Sequence, residues 1–273
     1  MQFCLLFALR HALTSIKRCL TADASNERIR HLLLKKVIRI IYLHYPISGY
    51  GSSGKKRPEW FNFEDCFKNL LHTLSLTSIP WSIDILMDGE KSDNWIFKYL
   101  QSDKVALHEY PSCGGSLLIQ RIYDFISASR WSSKDIIYIL ENDYLHRPGW
   151  PEHLMSAIKT FGSDNYYTLY DHPDKYTEKA YKSLTSQILL ASDSCHWRTT
   201  PSTCFSFIAS RYLLEKDSDI FFIPKMADHL LFTMLSCAKN RRLLSPIQGL
   251  STHCMKKWMS PGVDWRSLAS ISM

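Results

Sequence analysis

The chain has 273 residues, 45% of them apolar and 13% aromatic, and carries a formal net charge of +7. Length and composition describe a globular protein of one large or two small domains, and exclude a disordered or fibrous chain. No apolar run approaches the roughly 20 residues that cross a bilayer; the longest near the start is Phe3 to Leu9.

Residues 3–20 read as a short amphipathic helix, with Arg10, Lys17 and Arg18 among Leu, Phe and Ile. Arg28 to Lys36 reads as a second basic helical stretch. No basic n-region or small-residue cleavage site accompanies the apolar run, so no secretory leader is expected. Residues 1–60 hold 11 Lys and Arg against 3 Asp and Glu, while the remainder holds 22 against 23. The basic excess therefore belongs to the start of the chain, and no nucleic-acid-binding face is expected on the nearly neutral body. The arm 1–36 can lie on an anionic membrane surface as a peripheral contact, or pack on the domain with its charges solvated. The eight cysteines include no two within four residues, which excludes zinc-finger spacing. Free thiols in a reducing cytoplasm are the expectation.

The core is expected to span residues 37–265, with a tail over 266–273. Val37 to Leu43 reads as a strand, followed by a Gly-, Ser- and Lys-rich loop from Pro46 to Arg57. Asn62 can cap a helix whose apolar stripe is Phe63, Phe67, Leu70, Leu71 and Leu74. Ser82 to Met87 is a second strand, ended by Asp88-Gly89. A helix near Trp95 to Leu100 and a strand at Val105 to Tyr110 come next. Gly114-Gly115-Ser116 then opens a helix through Leu118, Ile122, Phe125 and Ile126.

Ile136 to Leu140 has the length and β-branched content of a buried strand. Two carboxylates, Glu141 and Asp143, follow it where a strand would leave the sheet, and His146-Arg147-Pro148-Gly149 reads as a turn. Carboxylates at the mouth of a strand favour a hard divalent cation such as Mn²⁺ or Mg²⁺, which in turn clamps a diphosphate. The same residues also serve as loop solubilisers or helix caps in many proteins, and Glu-x-Asp alone is weakly specific. Its setting adds weight. Strands alternate with amphipathic helices over about 100 residues, the pattern of an α/β fold with an open, mostly parallel sheet and helices on both faces. Ligands of such sheets bind beyond the carboxyl ends of the strands, where Asp88, Gly114-Gly115 and Glu141-Asn142-Asp143 all fall.

The second half is less regular. Tyr166 to Tyr170 reads as a strand leading into Asp171-His172-Pro173, and Trp197 to Thr203 leads into another strand through Ile208. Asp228-His229 opens a helix, and a last strand near Leu243 leads to Gly249-Leu250-Ser251-Thr252-His253.

The ordered set resembles the GT-A-fold glycosyltransferases, near family two of the nucleotide-sugar transferases. The resemblance covers about residues 37–265. It implies a Rossmann-like nucleotide-binding half and an acceptor-binding half. Glu141-Asn142-Asp143 matches the family's acidic metal motif, and Asp88 the aspartate that meets the nucleobase or ribose. Gly114-Gly115-Ser116 matches the small-residue start of the helix before the metal motif. Asp228 matches the catalytic base of inverting members, and His253 the late histidine that completes the metal shell. Two departures stand out. Asn142 replaces the common central Asp, which drops a charge, and Tyr45-Pro46 only loosely replaces the usual end of the first strand.

The resemblance implies a metal-dependent enzyme that moves sugar from a nucleotide-diphosphate donor to a glycan or lipid-linked acceptor. It would act in the cytoplasm or at the inner membrane face. Glu141, Asp143 and His253 are the metal candidates; Asp88, Gly114, Gly115, Arg121 and Asn142 are the candidates for binding the donor. Asp228 is the candidate base, or a helix cap. Asp171 and His172 either face the cleft or shape the Pro173 turn. Trp150 and Trp197 either stack on sugars or pack, and Arg121, His146 and Arg147 either meet phosphate or do not. A nucleotidyltransferase would use the same sheet and metal, with Gly51 to Arg57 the nearest approach to its phosphate loop. A non-catalytic nucleotide- or glycan-binding relative is the other alternative, kept open by Asn142.

Overall fold

A computed structural model describes residues 36–45, 56–89, 95–111, 115–190, 195–221, 223 and 227–270. The basic stretches expected within 1–35, the loop over 46–55 and Gly114 lie outside the described residues. Val37–Met273 gather into one compact unit.

The expected strands of the first half form nearly as read: β1 (Ile38–His44), β2 (Trp81–Asp88), β3 (Val105–Tyr110) and β4 (Ile136–Glu141). They pair in parallel in the order β3-β2-β1-β4. Parallel strands need crossovers, and helices provide them. One is α1 (Phe63–Ser75), whose Asn62 cap accepts a hydrogen bond from Glu64 N at 2.7 Å. Another is α2 (Gly115–Ala128), and Trp95–Tyr99 is a short 3₁₀ turn.

The strand residues divide between two cores with the period of two that a pleated strand imposes. Ile38, Ile40, Tyr42, Ile136, Tyr138 and Leu140 pack on one face against α1 and α3 (Trp150–Phe161). Ile41, Leu43, Ile137 and Ile139 pack on the other against α2. α5 (Arg211–Lys216) and α7 (Asp228–Lys239) share that second face. Helices therefore cover both faces, and β1 and β4 are buried on both sides, as their near-continuous apolar runs require.

The second half extends the sheet with mixed pairing. The full order is β3-β2-β1-β4-β9-β6-β10-β8-β7, where β6 is Tyr166–Tyr167, β7 Ile188–Leu190, β8 His196–Thr199, β9 Phe207–Ser210 and β10 Leu243–Pro246. β9 lies antiparallel between β4 and β6. β8 runs antiparallel to β10 and β7, so only β9 and β8 oppose the common direction. The strand expected over 166–170 is shorter than read. Beyond Tyr167 the chain leaves the ladder, and Tyr170 makes a single bridge to Ser251. The short elements α4 (Asp174–Thr177), α6 (Ser218–Phe221) and α8 (Trp265–Ala269), with a 3₁₀ turn at Lys179–Tyr181, complete the elements of the described residues.

Outside the main sheet, β5 (Tyr144–His146) and β11 (Ser251–His253) form an antiparallel ribbon, with His253 opposite Tyr144. Its other edge is closed by one buried side chain. Asn69 Oδ1 on α1 accepts from His146 N at 2.7 Å, and its Nδ2 donates to His146 O at 3.1 Å and Leu268 O at 3.3 Å. An amide here imitates a neighbouring strand. Asn69→Ala would remove the partner of two buried backbone groups of His146 and of the half-buried Leu268 carbonyl. We expect it to lower the unfolding free energy in urea by about 2–4 kcal/mol, whereas a surface change such as Lys68→Ala should move it by less than about 0.5 kcal/mol.

Candidate metal and nucleotide site at the carboxyl edge of the sheet

β1 has β2 on one edge and β4 on the other. Chain order therefore reverses between β1 and β4, and such a reversal opens a crevice beyond their carboxyl ends. The turn Asn142-Asp143 leaves β4 there and enters the ribbon. Because β5 pairs with β11, His253 is delivered beside Asp143 across 110 residues of sequence. Cys254 N donates to Asp143 O at 2.9 Å, and His253 Nε2 lies 2.9 Å from Asp143 Oδ2. The His253 ring stacks on Tyr144 at 5.1 Å with 4° between planes, which fixes its orientation. Asp143 and His253 are both 2% exposed.

Glu141, Asp143 and His253 each present a donor atom, and the three atoms lie within 4.8 Å of one another. Donors on adjacent positions of an octahedral shell, each about 2.1 Å from the ion, stand about 3.0 Å apart, and opposite donors about 4.2 Å apart. The 4.8 Å limit of the triad lies a little above these values, so the three donors would tighten slightly around a divalent cation. Three protein donors would leave positions on such an ion for ligand oxygens. The Asp143–His253 contact also serves as an ion pair when the imidazole is protonated. Burial pulls the His253 pKa down, but the Asp143 carboxylate reverses this and raises it to about 10.

A second cation meets the same oxygen. Arg57 Nη2 lies 2.7 Å from Asp143 Oδ2, and its Nη1 donates to Cys254 O at 2.9 Å. Its guanidinium rests 4.6 Å from the Phe61 ring centroid. No individual role fell to Arg57 in the sequence; the signal available was its place at the end of a Gly-, Ser- and Lys-rich loop after β1.

Asn142 contacts β1. Its Nδ2 faces His44 Nδ1 at 3.5 Å, and its carbonyl accepts from Tyr42 Oη at 3.4 Å. Asp88 and Arg121 occupy the same sheet edge at the end of β2, where Arg121 Nη1 donates to Asp88 Oδ1 at 2.9 Å and its guanidinium covers the Tyr110 ring. Gly115 is the first residue of α2. His146, Trp150 and Trp197 are core residues: each is 0% exposed, and His146 pairs with Tyr138 Oη at 2.9 Å. Burial lowers the His146 pKa to about 3, so it stays neutral.

The second half contributes a facing polar cluster. Asp171 is buried, accepts from Arg198 Nη2 at 2.7 Å and is bonded by Tyr176 Oη. His172 pairs with Asp174 at 2.8 Å, and the wholly buried ammonium of Lys175 donates to Asp174 and Ser202. Cys204 connects this cluster to the triad. Burial raises its pKa, but the neighbouring His172 and His253 outweigh that and bring it to about 7. Nothing in the cysteine spacing singled it out.

Asp228 lies at the margin of this cluster. Ala227 holds the cap position of α7, so Asp228 is the first helical residue, and its Oδ2 accepts from Phe205 N at 2.6 Å. Phe205 takes a left-handed φ of 49° to present that N–H. Burial raises the Asp228 pKa to about 6, against the lowering pull of Phe205 N–H, His172 and Lys175.

No family model matches the chain, and no curated protein matches it. Solved structures with related coordinates include S. aureus TarS 1–349, at TM-score 0.47 and 14% identity over 77% of this chain. The same protein in complex with UDP-GlcNAc aligns at TM-score 0.45 and 15% identity over 87% of this chain. CMP:2-keto-3-deoxy-manno-octonic acid synthetase with CTP aligns at TM-score 0.46 and 13% identity, over 78% of this chain and 92% of that one. The chain spans 57% of the length of TarS 1–349.

The raised carboxyl of Asp228 has a thermodynamic consequence. A carboxyl whose pKa rises on folding favours the native state only while protonated, so stability falls as pH rises from about 4 to about 6 and stays low above that. The full shift corresponds to about 3 kcal/mol, and to about 1 kcal/mol after screening of a half-buried group. Asp228→Asn retains an oxygen for Phe205 N–H and removes the charge. Thermal unfolding is expected to show the variant more stable than the parent by about 1 kcal/mol at pH 8, with the gap closing below about pH 4. A gap of equal size at both pH values would contradict the burial argument.

Proposed function

We propose that the chain is a metal-dependent glycosyltransferase that moves a sugar from a nucleoside-diphosphate donor to a glycan or lipid-linked acceptor, with inversion. The observation that carries the reading is the meeting of Glu141, Asp143 and His253 at the crevice between β1 and β4. A divalent cation held there supplies positive charge for the leaving diphosphate.

The chain's own residues divide the remaining work. Asp88 and Arg121, at the end of β2, take the nucleoside side of the donor, and the start of α2 at Gly115 gives its backbone close approach. Asn142 orders the end of β1 through His44 rather than adding a charge. Asp228 receives the acceptor hydroxyl proton as that oxygen bonds to the anomeric carbon and the diphosphate departs. A pKa of about 6 suits the task, because the carboxylate is ionised at neutral pH yet basic enough to accept a proton.

Arg57 gives nucleotidyl transfer a specific observation of its own, since a cation from the loop after β1 reaches the metal carboxylate. Products separate the two. Glycosyl transfer releases a nucleoside diphosphate from a sugar nucleotide, whereas nucleotidyl transfer releases pyrophosphate from a nucleoside triphosphate.

Incubation with UDP-, GDP-, dTDP- and CMP-sugars in Mn²⁺ is expected to release nucleotide from one class. Asp143→Ala should abolish metal-dependent nucleotide binding while leaving the fold intact by circular dichroism; equal titration curves for variant and parent would overturn the metal assignment. Asp228→Asn should bind donor normally and turn over about 10²–10⁴-fold more slowly. Ordinary turnover would leave Asp228 with only its contact to Phe205.

For the basic residues 1–36, the reading is a reversible contact with the anionic inner membrane face, each exposed cation contributing about 1 kcal/mol. No helix among the described residues is long and apolar enough to cross a membrane. The full chain should co-sediment with anionic liposomes at low salt and be released at high salt. Retention at high salt, or no sedimentation at all, would remove the electrostatic contact.

A further inference from the structure

We infer that Arg57 is a positioning residue for the donor diphosphate, one that opposes the metal and assists the phosphate. This rests on the reading above, in which Glu141, Asp143 and His253 hold a divalent cation.

Arg57 is held from three sides: by Asp143 Oδ2 at 2.7 Å, by the carbonyl of Cys254 at 2.9 Å, and by the rings of Phe61 and Phe63 at 4.6 and 5.8 Å. Two of its five N–H donors account for both hydrogen bonds. Its side chain is 19% exposed. Asp143 Oδ2 is met by His253 Nε2 at 2.9 Å as well as by Arg57 Nη2, so the guanidinium stands directly beside the atoms that would hold the ion.

The charges indicate what it does. Glu141 and Asp143 bring two negative charges and Arg57 one positive. With a divalent ion bound and His253 neutral as a ligand, the four residues and the ion carry one net positive charge. Arg57 therefore repels the incoming metal and shares Asp143 with it. A diphosphate reverses the balance, because it supplies the negative charge that the ion and guanidinium together lack. A planar guanidinium also bonds phosphate oxygens through paired N–H groups, which an ammonium does not. The two effects have opposite signs, so they are separable by measurement.

The test is titration calorimetry of the full chain and its Arg57→Gln and Arg57→Lys variants. Mn²⁺ is titrated alone, and a nucleoside diphosphate is titrated with Mn²⁺ present. The probe is whichever of UDP, GDP, ADP, CDP and dTDP binds the parent most tightly. Arg57→Gln is expected to bind Mn²⁺ as tightly as the parent or several-fold more tightly, and the diphosphate about 10- to 100-fold more weakly. Arg57→Lys should restore only part of the diphosphate affinity. Loss of Mn²⁺ and diphosphate binding together would make Arg57 a structural clamp on Asp143 and overturn the inference. Unchanged diphosphate affinity would also overturn it. Should Arg57→Gln melt more than a few degrees below the parent, the comparison passes to Arg57→Lys, which keeps the charge and must leave Mn²⁺ affinity near the parent's while binding the diphosphate several-fold more weakly. A parent that binds no Mn²⁺ refutes the metal reading instead; Arg57 is then judged on diphosphate affinity in EDTA.

Discussion

The site depends on the pairing of two three-residue strands, β5 and β11. A ribbon this short has little stability of its own. It persists because each side is covered. Asn69 closes the outer edge of β5 with hydrogen bonds from a helix side chain. Leu145, Cys254, Cys66 and Trp265 form a small apolar cluster around it. Gly249 permits the turn into β11, since a Cβ there would meet Ser260 Oγ at 2.5 Å and Ser251 O at 2.8 Å. The register then sets the chemistry. His253 stands opposite Tyr144, next to Asp143, and a slip of one residue would turn its imidazole to the other face.

Around the ribbon the molecule keeps an unusual amount of charge out of water. Asp143, Asp171, Lys175, Arg198 and His253 are all at most 7% exposed. Buried charge is costly unless paired, and each of these has an ion-pair partner within 2.9 Å. One of them, Asp143–His253, links two halves that fold differently. The Asp143 group hangs from the parallel half, whereas Asp171, His172 and Lys175 belong to the mixed half, and Cys204 lies near histidines from both. Asp228 is the departure from this pairing. Burial raises the pKa of its carboxyl, and the Phe205 N–H and the charges of His172 and Lys175 only partly offset that. Poorly compensated carboxylates of this kind lower stability, and they are also where proton transfer near neutral pH becomes available.

The first half of the fold was readable because its signals are local. β1 to β4 are apolar runs bounded by breakers, and α1 has both a capping Asn and a 3.6-residue stripe, so their limits fall within a residue or two of the reading. In the second half the signals weaken for identifiable reasons. β5, β6, β7 and β11 have two or three residues each, too few to show a period. α3 begins Trp150-Pro151 after a Gly149 with φ of 81°, a start that looks like the continuation of a turn. β9 is an ordinary apolar strand, but nothing in Phe207–Ser210 says that it enters antiparallel beside β4.

By itself the sequence determined the alternation of strands and helices in residues 37–141, the burial of β1 and β4 on both faces, and the presence of carboxylates at the mouth of β4. These follow from hydrophobic periodicity and chain connectivity, which act over a few residues. Tertiary structure decided which of those polar groups meet. It set Asn142 against His44 and Arg57 against Asp143, put His146 in the core, and paired Asp88 with Arg121. Each of these outcomes turns on strand register or on the direction of one side chain, and both are settled by contacts between residues tens to hundreds of positions apart. Composition and spacing carry no record of such contacts.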